Sequence, residues 1–207
     1  AGSGGIWNAG LSLGSAGQVV KVNSGASALE FGTLSSDMVK ISSGTLGSGT
    51  ANWSIDGHFS STYKDYKIFV RQLATGNNGA TMRFRMNIGG SAHTGSDYSW
   101  SHTTTYSSSH TSTGSNNDNY SRLHQNSDSL DYPSCEEFHI FDPLSTTKRT
   151  TILLRGWGMD GKSGATNGSV GGAILKVNTA VTGITIYSDG GANVLAGAEY
   201  LVYGLKG

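Results

Sequence analysis

The chain has 207 residues, of which only 14% are charged and 36% are hydrophobic, and its 14 acidic and 14 basic side chains give a formal net charge of zero. This balance argues against a long basic face for nucleic acid, and no apolar run approaches the roughly 18 residues of a membrane-spanning helix. Gly, Ser, Thr and Asn fill much of the remainder and favour turns and extended backbone. No apolar period of 3.6 residues is sustained, so the sequence predicts an all-β protein without a nucleic-acid partner or membrane insertion.

Residues 1–50 form a Gly/Ser-rich region that we interpret as an N-terminal arm. Within it, the apolar runs Gln18–Val22 and 28–31 flank the turn-forming residues 23–25, which predicts a short β-hairpin. Two-stranded hairpins are at best marginally stable alone in water, so we expect the arm to pack against another surface and to serve attachment and oligomerisation. The side chains expected to make this contact are Val19, Val20, Val22, Leu29 and Phe31.

Residues 51–207 contain alternating apolar and polar runs at spacings typical of a β-sandwich. The clearest is Thr81–Ile88, in which the apolar side chains should point inward and Arg83, Arg85 and Asn87 outward. Further strands are predicted at 52–58, 63–73, 98–105, 120–123, 135–141, 149–155, 172–177, 183–187 and 200–205. Such a density of strands suits a two-sheet jelly roll. We therefore predict an antiparallel β-sandwich (jelly roll) head over 51–207, preceded by the arm and its hairpin.

Several short motifs follow one another along this head domain. They are Asp56-Gly57, Asp65-Tyr66, Gly89-Gly90 after the strand Thr81–Ile88, Asp142-Pro143, and the closing segment 202–206. Together with the hairpin, this succession resembles bacteriophage tail-fibre and virion surface proteins that carry a trimeric C-terminal jelly-roll module. Segment 91–133 departs from the resemblance, because it is longer and richer in Ser, Thr and His than we expect of such a module.

The resemblance implies a non-catalytic structural protein at the virion surface, on a tail fibre or on the capsid exterior. Its partners would be further copies of itself in a homotrimer, other virion proteins through the arm, and host cell-surface glycans. Receptor binding during host attachment is the first function that it implies. A capsid decoration (cement) protein that clamps the shell through its arm is the alternative, and a polysaccharide-degrading spike is a third.

Segment 91–133 offers a candidate glycan site. Alternation places Tyr98 and Trp100 on one face of a strand. Two interpretations stay open: the aromatic residues belong to the core or a subunit interface, or they stack on sugar rings while Asn, Asp and Ser side chains bind hydroxyls. The candidate glycan- or receptor-binding residues are Tyr98, Trp100, Tyr106, Asp118, Asn119 and Tyr120.

Several patterns that suggest catalysis or a cofactor have simpler interpretations. Segment 156–163 fits a phosphate-binding P-loop, but that loop needs a following helix, and the Gly-rich continuation predicts a long connecting loop instead. Glu136 and Glu137 are adjacent and point to opposite faces of a strand, which does not suit glycoside cleavage by a carboxylate pair. The histidines of segment 91–133 lack metal-ligand spacing, and we expect Cys135 to be a buried, inert thiol. We therefore expect no enzyme activity, no cofactor and no metal.

Overall fold

The computed structural model describes residues 14–33, 36–77, 80–125, 132–160 and 164–206. Those residues form strands, turns and bends but no helix, so none of them belongs to a helix that could cross a membrane. Every pair of neighbouring strands in these ranges is antiparallel. The chain divides into two compact units, residues 1–37 and 38–207. The prediction of an all-β protein with an antiparallel sandwich is confirmed.

The first unit contains the predicted hairpin, in which β1 (Gln18–Val22) pairs with β2 (Leu29–Thr33). The side-chain oxygen of Asn23 accepts a hydrogen bond from the backbone amide of Ser27 at 2.9 Å, an Asx interaction that favours a turn. Among the hairpin side chains expected to make contacts, three are exposed (Val20, Val22 and Leu29) and two are half-buried (Val19 and Phe31). Attachment and oligomerisation through these side chains stay predictions.

The second unit is a sandwich of two sheets. The eight-stranded sheet has the order β3 (Met38–Thr45), β15 (Glu199–Leu205), β5 (Asp65–Leu73), β11 (Ser134–Phe141), β12 (Thr151–Asp160), β13 (Ala165–Leu175), β8 (Tyr98–Tyr106) and β9 (Ser109–Asp118). The four-stranded sheet has the order β10 (Ser121–Gln125), β6 (Thr81–Ile88), β14 (Gly183–Ser188) and β4 (Asn52–Asp56). The short β7 (Ser91–Ala92) pairs with the end of β6.

The strand connections are those of a jelly roll in which three consecutive strands take the place of one. A jelly roll packs two sheets of four strands each, built from two Greek keys. Here β4, β14, β6 and β10 form one of these sheets, and β5, β8 and β9 supply three strands of the other. The fourth position, between β5 and β8, holds the meander β11–β12–β13. β15 and β3 then extend the same sheet beyond β5.

The core lies between the two sheets and follows from strand alternation. Tyr66, Ile68 and Val70 of β5 are fully buried. Phe84 of β6 meets Phe138 of β11 edge to face, with ring centroids 5.2 Å apart, and this pair joins the sheets at their centre. The inward face predicted on β6 is confirmed at its buried positions Met82, Phe84 and Met86.

Two side chains differ from their predicted exposure. Asn87 lies on the predicted outer face of β6, with Arg85, but it is fully buried, because three neighbouring side chains on that face satisfy its amide. The Nδ2 group donates to Ser54 Oγ at 3.0 Å and to Asp56 Oδ1 at 3.1 Å, and the Oδ1 atom accepts from Thr185 Oγ1 at 2.8 Å. Cys135 is exposed, because the alternate positions of β11 fill the core. The expectation of a buried thiol was therefore wrong.

Three segments also differ from the sequence prediction. Met38–Thr45 pairs with β15, so this part of the predicted arm belongs to the sandwich, which begins before residue 50. Residues 156–160 continue β12 rather than forming a loop, while residues 161–163 lie outside the described residues. In segment 91–133, the predicted strands at 98–105 and 120–123 are present as β8 and β10, but β9 between them was not predicted.

Candidate functional site

Tyr98, a predicted glycan-binding residue, belongs to the core. Its side chain is fully buried. Its hydroxyl accepts a hydrogen bond from the Met86 amide at 2.9 Å and donates to the His93 carbonyl at 3.1 Å. Burial raises the pKa of this phenol above its ordinary value. Tyr98 therefore ties β8 to β6 and is not available to a ligand.

Trp100, Asp118 and Tyr120, by contrast, are brought together. The Trp100 indole Nε1 donates a hydrogen bond to Asp118 Oδ2 at 2.9 Å, and the Trp100 and Tyr120 ring centroids lie 6.1 Å apart. Trp100 is only 7% exposed, so its indole cannot serve as a stacking platform for a sugar. Its contribution is to hold the Asp118 carboxylate in place.

These residues line a cavity of about 260 Å³ that we call the strand-end cleft, defined by Arg83, Trp100, Asp118, Tyr120, Arg122 and Asp189. The Arg83 guanidinium lies over the Tyr120 ring, 4.0 Å from its centroid, and its Nη2 lies 3.3 Å from Asp189 Oδ2. A cation–π contact and an ion pair thus fix Arg83 at the cavity wall. The cleft combines two guanidinium groups, which donate hydrogen bonds, with two carboxylates, which accept them.

Tyr106 and Asn119 do not join this cleft through their side chains. Tyr106 ends β8 and, at about 3.3 Å per residue, lies about 20 Å from Trp100 along the strand. The Asn119 side chain is exposed, and its backbone carbonyl accepts a hydrogen bond from Arg85 Nε at 2.8 Å. Of the six predicted residues, three therefore meet in one cavity.

His102 lies next to the cleft on the core face of β8, with its ring centroid 5.1 Å from that of Trp100. It is only 3% exposed, and neither ring nitrogen has a hydrogen-bond partner among the described residues. Burial and the nearby positive charge of Arg122 lower the pKa of this imidazole to about 4. His102 is therefore neutral at physiological pH.

The outer face of the eight-stranded sheet, which points away from the core, carries a second feature that the sequence analysis missed. Four large apolar side chains on it are 38–66% exposed, namely Leu153, Trp157, Val170 and Ile174. Beside them runs a groove of about 840 Å³, which we call the outer-face groove, and Phe69, Cys135 and Tyr203 are among its lining residues. A signal was present: Ile152, Leu153 and Leu154 form a continuous apolar run, which is typical of a strand covered on both faces.

Several charges of this outer face are paired within the chain. Lys67 Nζ lies 2.7 Å from Glu137 Oε1, and Arg155 Nε donates to Glu137 Oε2 at 2.7 Å. Burial opposes ionisation of Glu137, but the hydrogen bonds from Lys67 and Arg155 outweigh it and lower the pKa of this carboxyl. Arg71 and Glu199 form a further pair at 2.7 Å.

The adjacent carboxylates of β11 separate as the alternation predicted. Glu136 is buried in the core, whereas Glu137 lies on the outer face. Within the described residues, no group of three or more His, Cys, Asp or Glu side chains is placed to hold a metal ion.

Comparison of the chain with known protein families, curated protein sequences and solved structures finds no match.

Proposed function

We propose that the chain is a non-catalytic structural protein of a bacteriophage virion surface, a homotrimeric tail-fibre or receptor-binding module that contacts host glycans. The observation that carries the glycan proposal is the strand-end cleft. Its volume lies just below the range of about 300–1,000 Å³ typical of drug-sized ligands, which suits a single sugar ring. Its paired guanidinium and carboxylate groups offer donors and acceptors to vicinal hydroxyls.

The cleft is also preorganised, which favours binding. Asp118 is held by the Trp100 indole, and Arg83 is held between the Tyr120 ring and Asp189. A ligand therefore meets side chains whose conformations are already fixed, so less ordering entropy is lost on binding. The glycan would rest against Tyr120 and Arg83 rather than stack on Trp100.

Binding to a glycan array, followed by host-cell adsorption, tests this proposal. Arg83→Gln and Asp118→Asn should each weaken glycan binding about tenfold or more, because hydrogen bonds to charged groups contribute about 1.5–3 kcal/mol. Trp100→Phe removes the indole donor together with part of the buried ring, leaves the Asp118 carboxylate in the cleft, and should give a smaller loss. Tyr106→Ala, about 20 Å along β8, is the matched aromatic control and should bind as the wild type does. Binding that survives Arg83→Gln and Asp118→Asn but fails with Tyr106→Ala would overturn the assignment of the cleft.

Capsid decoration is the second candidate for the position in the virion. The exposed Val20, Val22 and Leu29 of the hairpin favour an arm that docks on another protein, and a fibre base or a shell would both supply such a surface. Copy number separates the two: a few trimers per particle indicate a fibre, and hundreds of chains indicate decoration. A polysaccharide-degrading spike, the third candidate, predicts shortened products after incubation with host polysaccharide.

A further inference from the structure

The outer face of the eight-stranded sheet exposes several large apolar side chains on neighbouring strands. Val170 is 66% exposed, Trp157 55% and Leu153 53%, and all three lie on the neighbouring strands β12 and β13. Contiguous apolar patches of more than a few hundred Å² are rare on monomeric proteins and mark interaction surfaces. This face is apolar because of its own strands, since β12 alternates Leu153 and Trp157 outward with Ile152 and Leu154 inward.

We infer that this outer face is the surface through which copies of the chain associate with one another. The inference deepens the homotrimer of the proposed function and rests on it, but it is independent of glycan binding at the strand-end cleft. It places the contact on the sandwich itself, in addition to any contact made by the arm.

The dimensions of the face match those of a stable interface. Eight strands about 4.8 Å apart make a sheet about 34 Å wide, and strands of 7 to 11 residues are about 23–36 Å long. The face therefore covers roughly 800–1,200 Å², which is at least the area of about 800 Å² that each partner buries in an interface of standard size. Covering it fully would need a partner surface as broad as the sheet itself.

The charges of the face do not call for a strongly charged partner. Lys67 and Arg155 share the single carboxylate of Glu137, and Arg71 pairs with Glu199, so these five side chains carry a net charge of only +1. The recognition chemistry of the face is therefore mainly apolar, as a contact between identical copies requires. The formal net charge of zero removes the overall repulsion that would oppose association of identical chains.

Trp157 gives the face a preformed anchor. A Cβ atom at Gly168 would lie only 2.1 Å from the Trp157 ring, so the indole packs against the backbone of β13 at this glycine. Trp157 is nevertheless 55% exposed. Rigid, exposed tryptophans are enriched among the residues that dominate interface energies.

Cys135 provides a direct reporter of this face. It is the only cysteine of the sequence, it is exposed in the single chain, and its Sγ lies 3.6 Å from the Trp157 carbonyl oxygen. If copies cover the face, Cys135 becomes inaccessible in the oligomer. Its reaction with a maleimide reagent therefore measures the coverage of this face without any substitution.

The experiment combines mass and thiol reactivity on the full chain. Light scattering after gel filtration gives the mass of the wild type, of Val170→Lys and of the matched control Asn52→Lys, which adds the same charge at an exposed strand position of the four-stranded sheet. The wild type and the control should be oligomers in which Cys135 reacts at least tenfold more slowly than in the urea-unfolded chain. Val170→Lys should raise the dissociation constant about a hundredfold or more, because like charges in an interface cost several kcal/mol, and should restore the reactivity of Cys135.

Several outcomes would overturn the inference. An oligomer in which Cys135 reacts as fast as in the unfolded chain would place the contact elsewhere, and so would an oligomer whose mass and Cys135 protection are unchanged by Val170→Lys. A wild-type chain that stays monomeric at every concentration would remove both this inference and the homotrimer. Glycan binding by the cleft would still be judged by its own assay, so the two failures are distinguishable.

Discussion

The buried imidazole of His102 should make the stability of the sandwich sensitive to acid. Its pKa is about 4 in the folded chain, compared with about 6.5 in an unfolded chain. Because the folded-state value is the lower one, the unfolded chain binds the proton first as the pH falls. Protonation of His102 therefore lowers the free energy of unfolding hardly at all above about pH 7, increasingly below pH 6.5, and to its full extent below about pH 4. For these two pKa values, linkage lowers the free energy of unfolding by about 2 kcal/mol between pH 7.5 and pH 5.

Urea unfolding of the wild type and of His102→Leu at pH 7.5 and pH 5, at one protein concentration, measures this loss. The free energy of unfolding of the wild type should fall by about 2 kcal/mol more than that of the variant over this interval. At pH 7.5 the variant should not be strongly destabilised, because the imidazole that it removes has no hydrogen-bond partner among the described residues.

Two histidines serve as internal references for this measurement. His110 is exposed on β9, so His110→Gln should show the same pH-dependent loss as the wild type. The pKa of His139 is lowered by burial and by Lys67, and its titration is shared by all the variants and cancels in their comparison. Equal losses in the wild type and in His102→Leu would refute the reasoning.

Three further predictions concern the stability of the sandwich, measured by urea unfolding at neutral pH. Asn87→Leu should lower the free energy of unfolding by about 3 kcal/mol, because it leaves buried polar partners without hydrogen bonds; a neutral effect would mean that water replaces the amide. Gly171→Ala should cost about 2 kcal/mol, since its Cβ would lie 2.3 Å from the Ser101 carbonyl oxygen, whereas Gly47→Ala, with no atom within 4 Å of its Cβ, should be nearly neutral. Phe84→Ala should cost about 3–5 kcal/mol, and a loss below 1 kcal/mol would contradict its place at the centre of the core.

The sequence predicted the strands that have one apolar and one polar face. It did not predict a strand whose two faces are both polar. The strand Thr81–Ile88 was found because apolar and charged residues alternate on it. β9 was missed because it lies at the edge of its sheet and its ten residues, mostly Ser, Thr and Asn, carry no apolar stripe. A polar edge strand of this kind avoids pairing with other chains, but it has the composition of a loop.

The burial of Asn87 and the exposure of Cys135 show different limits of prediction from the sequence pattern. Phe138 and Ile140 face the core, and Cys135 is an odd number of residues away from both, so it faces outward. Its exposure could therefore have been predicted from strand alternation alone. The burial of Asn87 could not, because a polar side chain on the outer face of a sheet usually contacts solvent. Its burial depends on Ser54, Asp56 and Thr185, which other strands bring beside it. Those neighbours follow from strand register, which the sequence does not reveal.

The sequence predicted only part of the strand-end cleft, because strand register brings in the rest. Trp100, Asp118 and Tyr120 lie close in sequence, so their meeting could be expected from one stretch of chain. Arg83 and Asp189 come from β6 and from the turn after β14, and only the antiparallel pairing of those strands brings them to the cleft. The charged half of the site was therefore beyond reach of local patterns.

The expanded strand of the jelly roll has a consequence for how this fold can vary. Three consecutive antiparallel strands start at one end of a sheet and finish at the other, as a single strand does. The meander β11–β12–β13 therefore replaces one strand without changing the direction or the order of any later connection. Whole hairpins can be gained or lost at this point, in evolution or in design, and each would change the width of the sheet by about 10 Å while the four-stranded sheet is left intact. Because Leu153, Trp157, Val170 and Ile174 all lie on β12 and β13, a change in hairpin number would alter the apolar character of the outer face in discrete steps.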